Sequence, residues 1–398
     1  MAAVRVNVVT ADNPPSALRA LVVRGPFRGA SGHDHHVREF VRHLARRGIR
    51  QQLIDVPEWG PARLPEAARD PWFETLDAPV PATAAIHFCM PHQVTPLAGH
   101  LNVNYSMFEA TRIPARWLLY SRRHDHVVVP TKSSRDAWLA RKFPADRIAL
   151  CPLGVDPDRF RPDAAPLPLT DRSGRLVGDY RVRVLNVSEP GPRKNLAALL
   201  RVWIWTTAPS DDAILIVKLA RSWPGRTLQF LRELDAVERS LGKARRDAAP
   251  VLFYDQVLAD WEMPGLFAAA THYWSMSRGE GWDQPMVEAA ATGLCLLAPD
   301  HSAYPTYLDQ TVAAMIPSRR VPVALGDAED LAPLFRGAEW WEPDEEAARE
   351  ALRQAIDGAV QRRPTARARI VAEFTWEHAT ARLLDIVGEV HRRRGRGF

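Results

Sequence analysis

Two blocks of short β-branched runs alternate with helical patterns, and a proline-rich polar stretch divides them. This arrangement constrains the fold more than any other feature of the chain. In the first block the runs are VRVNVV (4–9), LRALVVRG (18–25), RQQLIDV (50–56), AAIHFCM (84–90), HLNVNYSM (100–107), HDHVVVPT (124–131) and RIALCPLG (147–154). Within DHHVREFVRHLARRG (34–48), Val37, Phe40, Val41 and Leu44 fall at i, i+3, i+4 and i+7. That spacing predicts a helix with one buried stripe, capped by Asp34 and ended by Gly48. Residues 157–179, PDRFRPDAAPLPLTDRSGRLVGD, read as a linker. The second block offers strand RVRVLNVS (181–188), helix NLAALLRVWIW (195–205), and strands AILIVKL (213–219) and VLFYD (251–255). A helix near 261–270, strands HYWSMS (272–277) and LCLLAP (294–299), and a final helix at about 376–393 complete it.

Strand–helix–strand repetition in two blocks predicts an α/β chain with two parallel-sheet domains. The expected division is residues 1–165, 166–375, and a C-terminal helix with basic tail, 376–398, that packs on either domain. A length of 398 residues exceeds what one typical core fills, in agreement. Ligands of such domains sit at the carboxyl ends of the strands, so a site in the cleft between them is expected.

Composition narrows the function classes. Hydrophobic residues at 46% and charged residues at 25% suit a soluble globular protein, and no run of about 18 apolar residues could span a membrane. The start, MAAVRVNVVTADNPP, turns polar too early for a secretory leader. Cys89, Cys151 and Cys295 sit singly in apolar runs, so buried reduced thiols and a cytoplasmic location are expected. A net charge of +5 and the tail HRRRGRGF suit a phosphorylated small molecule, or peripheral contact with an anionic membrane at its inner face. No aromatic-interleaved basic motif or zinc-finger spacing supports a nucleic-acid partner.

The stretch SRGEGWDQPMVEAAATG (277–293) carries the chemistry. A strand ends at Ser277, Pro285 suits the first turn of a helix, and Gly293 ends it. Glu280 then lies in the loop before the helix and Glu288 about one turn inside. Helix-start amides favour an anion or sugar hydroxyls, although a loop running into a solvated helix fits the charge pattern equally well. The stretch resembles the Glu-x7-Glu motif of retaining nucleotide-sugar glycosyltransferases with the GT-B fold, in particular glycosyltransferase family 4. The resemblance implies two Rossmann-like domains facing a central cleft. It implies that Glu280 contacts the donor sugar, that Gly281, Trp282, Asp283 and Gln284 line it, and that Glu288 holds the ribose. Asp283 stands where the usual pattern has a glycine.

Other segments agree. LCPLGVDPDRFRP (150–162) is similar to the segment closing the N-terminal domain in this family, and GPRKNLAALLRVW (191–203) to the lead of the first nucleotide-domain helix. Arg193 and Lys194 there suit a diphosphate. Ser188 and Glu189 stand where many members carry a further arginine, so Arg193 or Lys218 is expected to do its work. GASGHDHHV (29–37) resembles the loop that approaches the donor phosphates, through Ser31 and Gly32. Its adjacent histidines cannot converge on one ion, so no metal site is expected, and His36 is assigned to the acceptor side. NYSMFEATRIPARW (104–117) resembles the segment over the reacting centre. It offers Tyr105 on the acceptor side and Glu109 as a catalytic group, or as a structural partner of Arg112. Asp156-Pro157-Asp158 matches a metal-binding Asp-x-Asp but falls at the linker turn and reads as structural.

The resemblance implies transfer of a sugar from a nucleoside diphosphate sugar to an acceptor hydroxyl with retained configuration, without metal or other cofactor. Three rivals stay open: an inverting GT-B enzyme with Glu109 or His36 as base, a non-catalytic binding protein, and a Rossmann oxidoreductase, for which Gly-x-Gly-x-x-Gly is missing. The acceptor falls to loops such as 57–81, where Trp59 and Trp72 stack on sugar or simply pack.

Overall fold

The computed structural model describes residues 18–56, 63–219, 226–326, 328–358 and 364–395. The strand expected at 4–9 and Trp59 lie outside them. The first half runs β1 (Ala20–Arg24), α1 (Gly32–Arg46), β2 (Arg50–Ile54), β3 (Ala84–Phe88), β4 (Leu101–Tyr105), α2 (Ala115–Tyr120), β5 (His126–Val129), α3 (Lys132–Leu139) and β6 (Ile148–Leu150). The second half begins with β7 (Val182–Ser188), α4 (Leu196–Thr206), β8 (Ala213–Leu219), α5 (Arg226–Leu241), β9 (Val251–Tyr254) and α6 (Met263–Ala268). It continues with β10 (His272–Trp274), α7 (Gln284–Thr292), β11 (Cys295–Pro299), β12 (Ala314–Ile316), β13 (Ser318–Pro322), α8 (Ala332–Phe335), β14 (Glu339–Pro343) and α9 (Glu345–Ile356). Helices α10 (Pro364–Glu373) and α11 (Trp376–Gly395) follow. Among the described residues no helix is long and apolar enough to cross a membrane.

Each half builds a six-stranded parallel sheet, ordered β2-β1-β3-β4-β5-β6 and β12-β11-β10-β7-β8-β9. Such strands are covered on both faces, which is why β3 and β8 read as near-continuous apolar runs. Strand order reverses beside β1 in the first sheet and beside β7 in the second. Crevices therefore open between the ends of β1 and β3, and of β7 and β10.

Helix α1 buries the expected stripe of Val37, Phe40, Val41 and Leu44. Its cap is Ser31 rather than Asp34: the Ser31 hydroxyl accepts from the Asp34 amide at 3.2 Å. Asp34 sits in the first turn, where its carboxylate accepts from the Gly29 amide at 2.6 Å and so ties the entering loop to the helix. Gly48, at φ 72°, follows the helix end.

The linker leads from Val155, which pairs with Thr375 in an isolated parallel bridge. Gly154 lies so close to this crossing that a Cβ would stand 2.2 Å from the Thr375 carbonyl carbon. Helix α11 then lies against the first sheet's helices, with Trp376 edge-on to Phe40 and the Cys151 thiol directed at the Ala379 carbonyl. Asp156 makes a local turn, accepting from the amides of Asp158 and Arg159. All three cysteines are free and buried.

The first sheet buries three histidines whose pKa burial depresses, to about 4 for His87, about 3 for His124 and about 4 for His126. For His124 the charges of His87 and Arg147 add to the effect, and neither ring nitrogen has a hydrogen-bond partner. Folded His124 stays neutral where the unfolded chain binds a proton, so its contribution is complete above about pH 6.5 and is lost as pH falls towards 3. We predict that His124→Leu folds and flattens the pH dependence of stability below pH 6.5 by about 1.4 kcal/mol per pH unit. Urea unfolding at pH 7.5 and 5.5 measures the difference from wild type.

Candidate active site

The two crevices face one another across a cleft of about 370 Å³, lined from both halves, within the size range of small-molecule sites. From the second half, the turn after β7 brings Arg193 and Lys194, and the loop after β10 brings Glu280. Lys194 Nζ stands 2.6 Å from Glu280 Oε1, and Arg193 donates to Glu280 Oε2 at 3.0 Å and to the Gly279 carbonyl at 2.7 Å. Burial alone would raise the Glu280 carboxyl, but the Lys194 and Arg193 charges overcome it and hold its pKa below the usual range. The Glu280 amide donates to Ser302 Oγ at 3.1 Å.

Asp283 occupies the left-handed region, φ 61°, just before α7. A glycine meets no steric penalty in that backbone, whereas the Cβ of Asp283 does. Its buried carboxylate accepts from the Tyr304 hydroxyl at 2.9 Å and lies 3.9 Å from Lys194 Nζ. Burial and the Glu280 charge raise its pKa. Asn195 and Ser302 also adopt positive φ. Three of the four non-glycine residues described there thus adjoin this site, where strained backbone tends to collect.

Helix α7 starts with Pro285 in its first turn and ends at Gly293, φ 81°. Glu288 projects from it into the cleft, where burial lifts its pKa to about 7 although His35 pulls the other way. Gln284 donates to the Gly154 carbonyl at 2.9 Å and to Glu288 at 3.3 Å. The Trp282 ring is buried against Tyr307 and Phe374, although the residue also borders the cleft.

From the first half come Ser31 and Gly32, at the start of α1, and Glu109, beyond β4. Burial raises the Glu109 carboxyl despite the nearby Arg193. The charged groups acting on it are Arg193, Glu280 and Lys194, across the cleft, rather than Arg112. Gly279 is the contact point: a Cβ there would stand 2.0 Å from the Glu109 carbonyl oxygen. At Gly281 it would stand 2.8 Å from Met107. Only bare backbone allows the two halves to approach this closely. His36 forms part of the cleft wall, packed on Phe88 and Tyr105 with ring centroids 5.6 and 5.9 Å away. Tyr105 itself donates its hydroxyl to the Cys151 carbonyl at 2.5 Å. Trp72 packs on Phe73.

Sequence reasoning missed the clasp beside the cleft. Asp260 accepts two hydrogen bonds from Arg38, both at 2.8 Å, and lies 3.3 Å from His35 Nδ1. His35 Nε2 in turn lies 3.5 Å from Glu288. Glu39 completes a group with His35 and Asp260 whose ligand atoms fall within 4.8 Å. Arg38, Arg42 and Arg159 already neutralise those carboxylates. No local motif marks Asp260, which stands 222 residues from Arg38. Lys218, at the end of β8, also lines the cleft, and burial lowers its pKa to about 8. Val257, Leu258 and Met263 supply an apolar wall.

Removing Lys194 leaves two buried carboxylates without their nearest cation, so Lys194→Met should cost about 3 kcal/mol at pH 7.5. Glu280, held below the ordinary carboxylate range by these cations, would then titrate higher and take up a proton as pH falls. The loss should therefore shrink at pH 5, which urea unfolding at the two pH values checks.

No protein-family model and no curated protein matches the sequence. Solved structures do. Anabaena HepE in complex with UDP shares 12% identity at a TM-score of 0.59, over 93% of this chain and 100% of that one. Sucrose-phosphate synthase from Thermosynechococcus elongatus shares 16% at 0.62, over 95% and 100%. WaaG, a glycosyltransferase involved in lipopolysaccharide biosynthesis, shares 15% at 0.57, over 92% and 99%. With two six-stranded parallel sheets facing a common cleft, this chain has the GT-B fold of these glycosyltransferases.

Proposed function

We propose that this protein is a retaining glycosyltransferase, similar to family 4, that moves a sugar from a nucleoside diphosphate sugar to an acceptor hydroxyl. The observation that carries the proposal is the buried Glu280 carboxylate, bridged by Lys194 and Arg193 where β7 and β10 diverge and facing Glu109 across the cleft. In this reading the two cations, with Lys218, take up the negative charge that develops on the departing diphosphate, and Ser31 and Gly32 approach it from the first half. Glu280 is then freed to accept hydrogen bonds from donor-sugar hydroxyls, beside Gly281, Trp282, Asp283 and Gln284. Glu288 accepts from the ribose diol, which takes the place of its weak contact with His35. The apolar wall of Val257, Leu258 and Met263 suits a planar base. HepE is solved with UDP and with UDP-glucose, which makes UDP the first nucleotide to test. No metal is required in this reading, because fixed cations do its work.

On the acceptor side we assign His36, supported by the Tyr105 ring, and Glu109. Attack from the face the diphosphate leaves retains the configuration, with the leaving phosphate helping to take the acceptor proton. One observation favours the inverting alternative: Glu109, with its raised pKa, suits a general base. We further propose peripheral contact with an anionic membrane through the exposed arginines Arg392 to Arg394, a contact that vesicle sedimentation would detect.

Thermal shift with UDP, GDP, ADP and TDP tests the donor site, and no stabilisation by any of them would remove the proposal. With the matching sugar nucleotide, Glu280→Gln should lower kcat about a hundredfold or more while nucleotide affinity persists. Glu288→Ala should instead weaken nucleotide binding about tenfold, read by titration calorimetry. Transfer should continue in EDTA, and NMR of the product's anomeric centre separates retention from inversion.

A further inference from the structure

Among the described residues the strands β13 and β14 pair only with each other, with Arg320 opposite Trp341 and Pro322 opposite Glu339. They form an arm that leaves the second sheet and lies on the first half of the molecule. Phe335 stacks on Phe108 at 5.6 Å, and Ala338 and Trp340 join the apolar cluster of Ile113, Trp117 and Trp138. At the polar edge of this contact the Thr111 amide donates to the Glu339 carbonyl at 3.1 Å, and the Glu339 amide donates to Thr111 Oγ1 at 2.9 Å.

The same strand holds the loop that carries Glu280. The Trp341 amide donates to the Arg278 carbonyl at 2.9 Å. Glu342 receives Arg278 in a two-pronged pair, at 2.6 and 3.0 Å, and Asn195 at 3.3 Å. Trp341 stacks on His301, with ring centroids 5.2 Å apart and the two planes nearly parallel. His301 Nε2 lies 3.0 Å from the Ser277 carbonyl and its Nδ1 3.0 Å from Ser302 Oγ, the atom that accepts from the Glu280 amide. Burial keeps His301 neutral, with a pKa of about 3. A single strand, β14, thus grips Thr111 in one half and Arg278 in the other, each two residues from a carboxylate of the cleft.

We infer that the β13–β14 arm is a positioning element of the reacting centre, with Thr111, Arg278 and Glu342 as its fixing points. It sets the separation of Glu280 from Glu109. The inference rests on the donor-site reading above for its catalytic consequence, and on geometry alone for its mechanical one. Gly279 meets the Glu109 carbonyl with no room for a Cβ, so the two segments have one mutual position and the arm holds them in it. Neither sheet takes a strand from the arm, so loosening the arm displaces the two segments relative to one another and leaves both sheets intact.

Thr111→Val removes the acceptor of the Glu339 amide at nearly constant volume, and Glu342→Ala removes the two-pronged tie of Arg278 to the arm, leaving its guanidinium the Pro192 carbonyl at 2.8 Å. Hydrogen–deuterium exchange, read by mass spectrometry on the otherwise intact chain, is expected to speed up about tenfold or more in both 106–113 and 277–283 in either variant. Peptides from α7 should keep the wild-type rate. Faster exchange confined to the substituted segment, or in neither, overturns the inference. With the donor that the wild type uses, kcat should fall ten- to about a hundredfold with KM and UDP affinity within about twofold. An unchanged kcat would also overturn it. If the wild type transfers no sugar and binds no nucleotide, the functional reading fails, while the exchange experiment still decides the role of the arm.

Discussion

The buried ion triad of Glu280, Lys194 and Arg193 is the constraint around which the cleft is organised. A carboxylate taken out of water is stable only when its charge is met, and two cations meet this one at 2.6 and 3.0 Å. Meeting it fixes backbone as well. Arg193 also donates to the Gly279 carbonyl, its own carbonyl accepts from the Arg278 amide, and Asn195 turns the chain with a left-handed residue directly after Lys194. The ends of β7 and β10, neighbours in the sheet, are tied a second time by charge. In the proposed reading these two cations are what suits a diphosphate, and Asp283 sits at their edge with a carboxyl whose pKa burial and the Glu280 charge raise.

The two halves meet this site through contacts of different chemistry. Beside Glu288 the meeting is ionic, with Asp260 held by Arg38 and His35. Along the crossing it is backbone, where Gly154 and Val155 lie against Thr375 and carry α11 back to α1. Beyond Glu109 it is apolar, with Phe108 and Trp117 sharing a cluster with Phe335 and Trp340. His35 is the residue on which two functions converge, since it touches both the clasp at Asp260 and the proposed ribose carboxylate at Glu288.

The sheets were legible because buried parallel strands need continuous β-branched and aliphatic runs, as in AILIVKL and HVVV. The β13–β14 arm was not. SRRVP and EWWEP pair outside both sheets and show neither alternation nor an apolar run, so their partner in the first half is invisible locally. Of the cleft residues, Glu280 and Glu288 stood out through spacing on a loop and helix whose proline and glycine mark its ends. Asp260, His301 and Tyr304 carried no such signal, because each acts through a residue distant in sequence.

By itself, then, the sequence determined the two α/β blocks, their order, and the strand–loop–helix that carries the paired glutamates, since periodicity and end signals are local properties of the chain. The tertiary structure decided which charges meet. That Glu280 faces two cations and that Asp283 lies under Tyr304 are outcomes of packing within the second half, and that Glu109 answers to Arg193 rather than Arg112 follows from bringing the two halves together across the cleft. Electrostatic and steric complementarity depend on distances through space, and those are fixed only when residues far apart in the chain have been packed together.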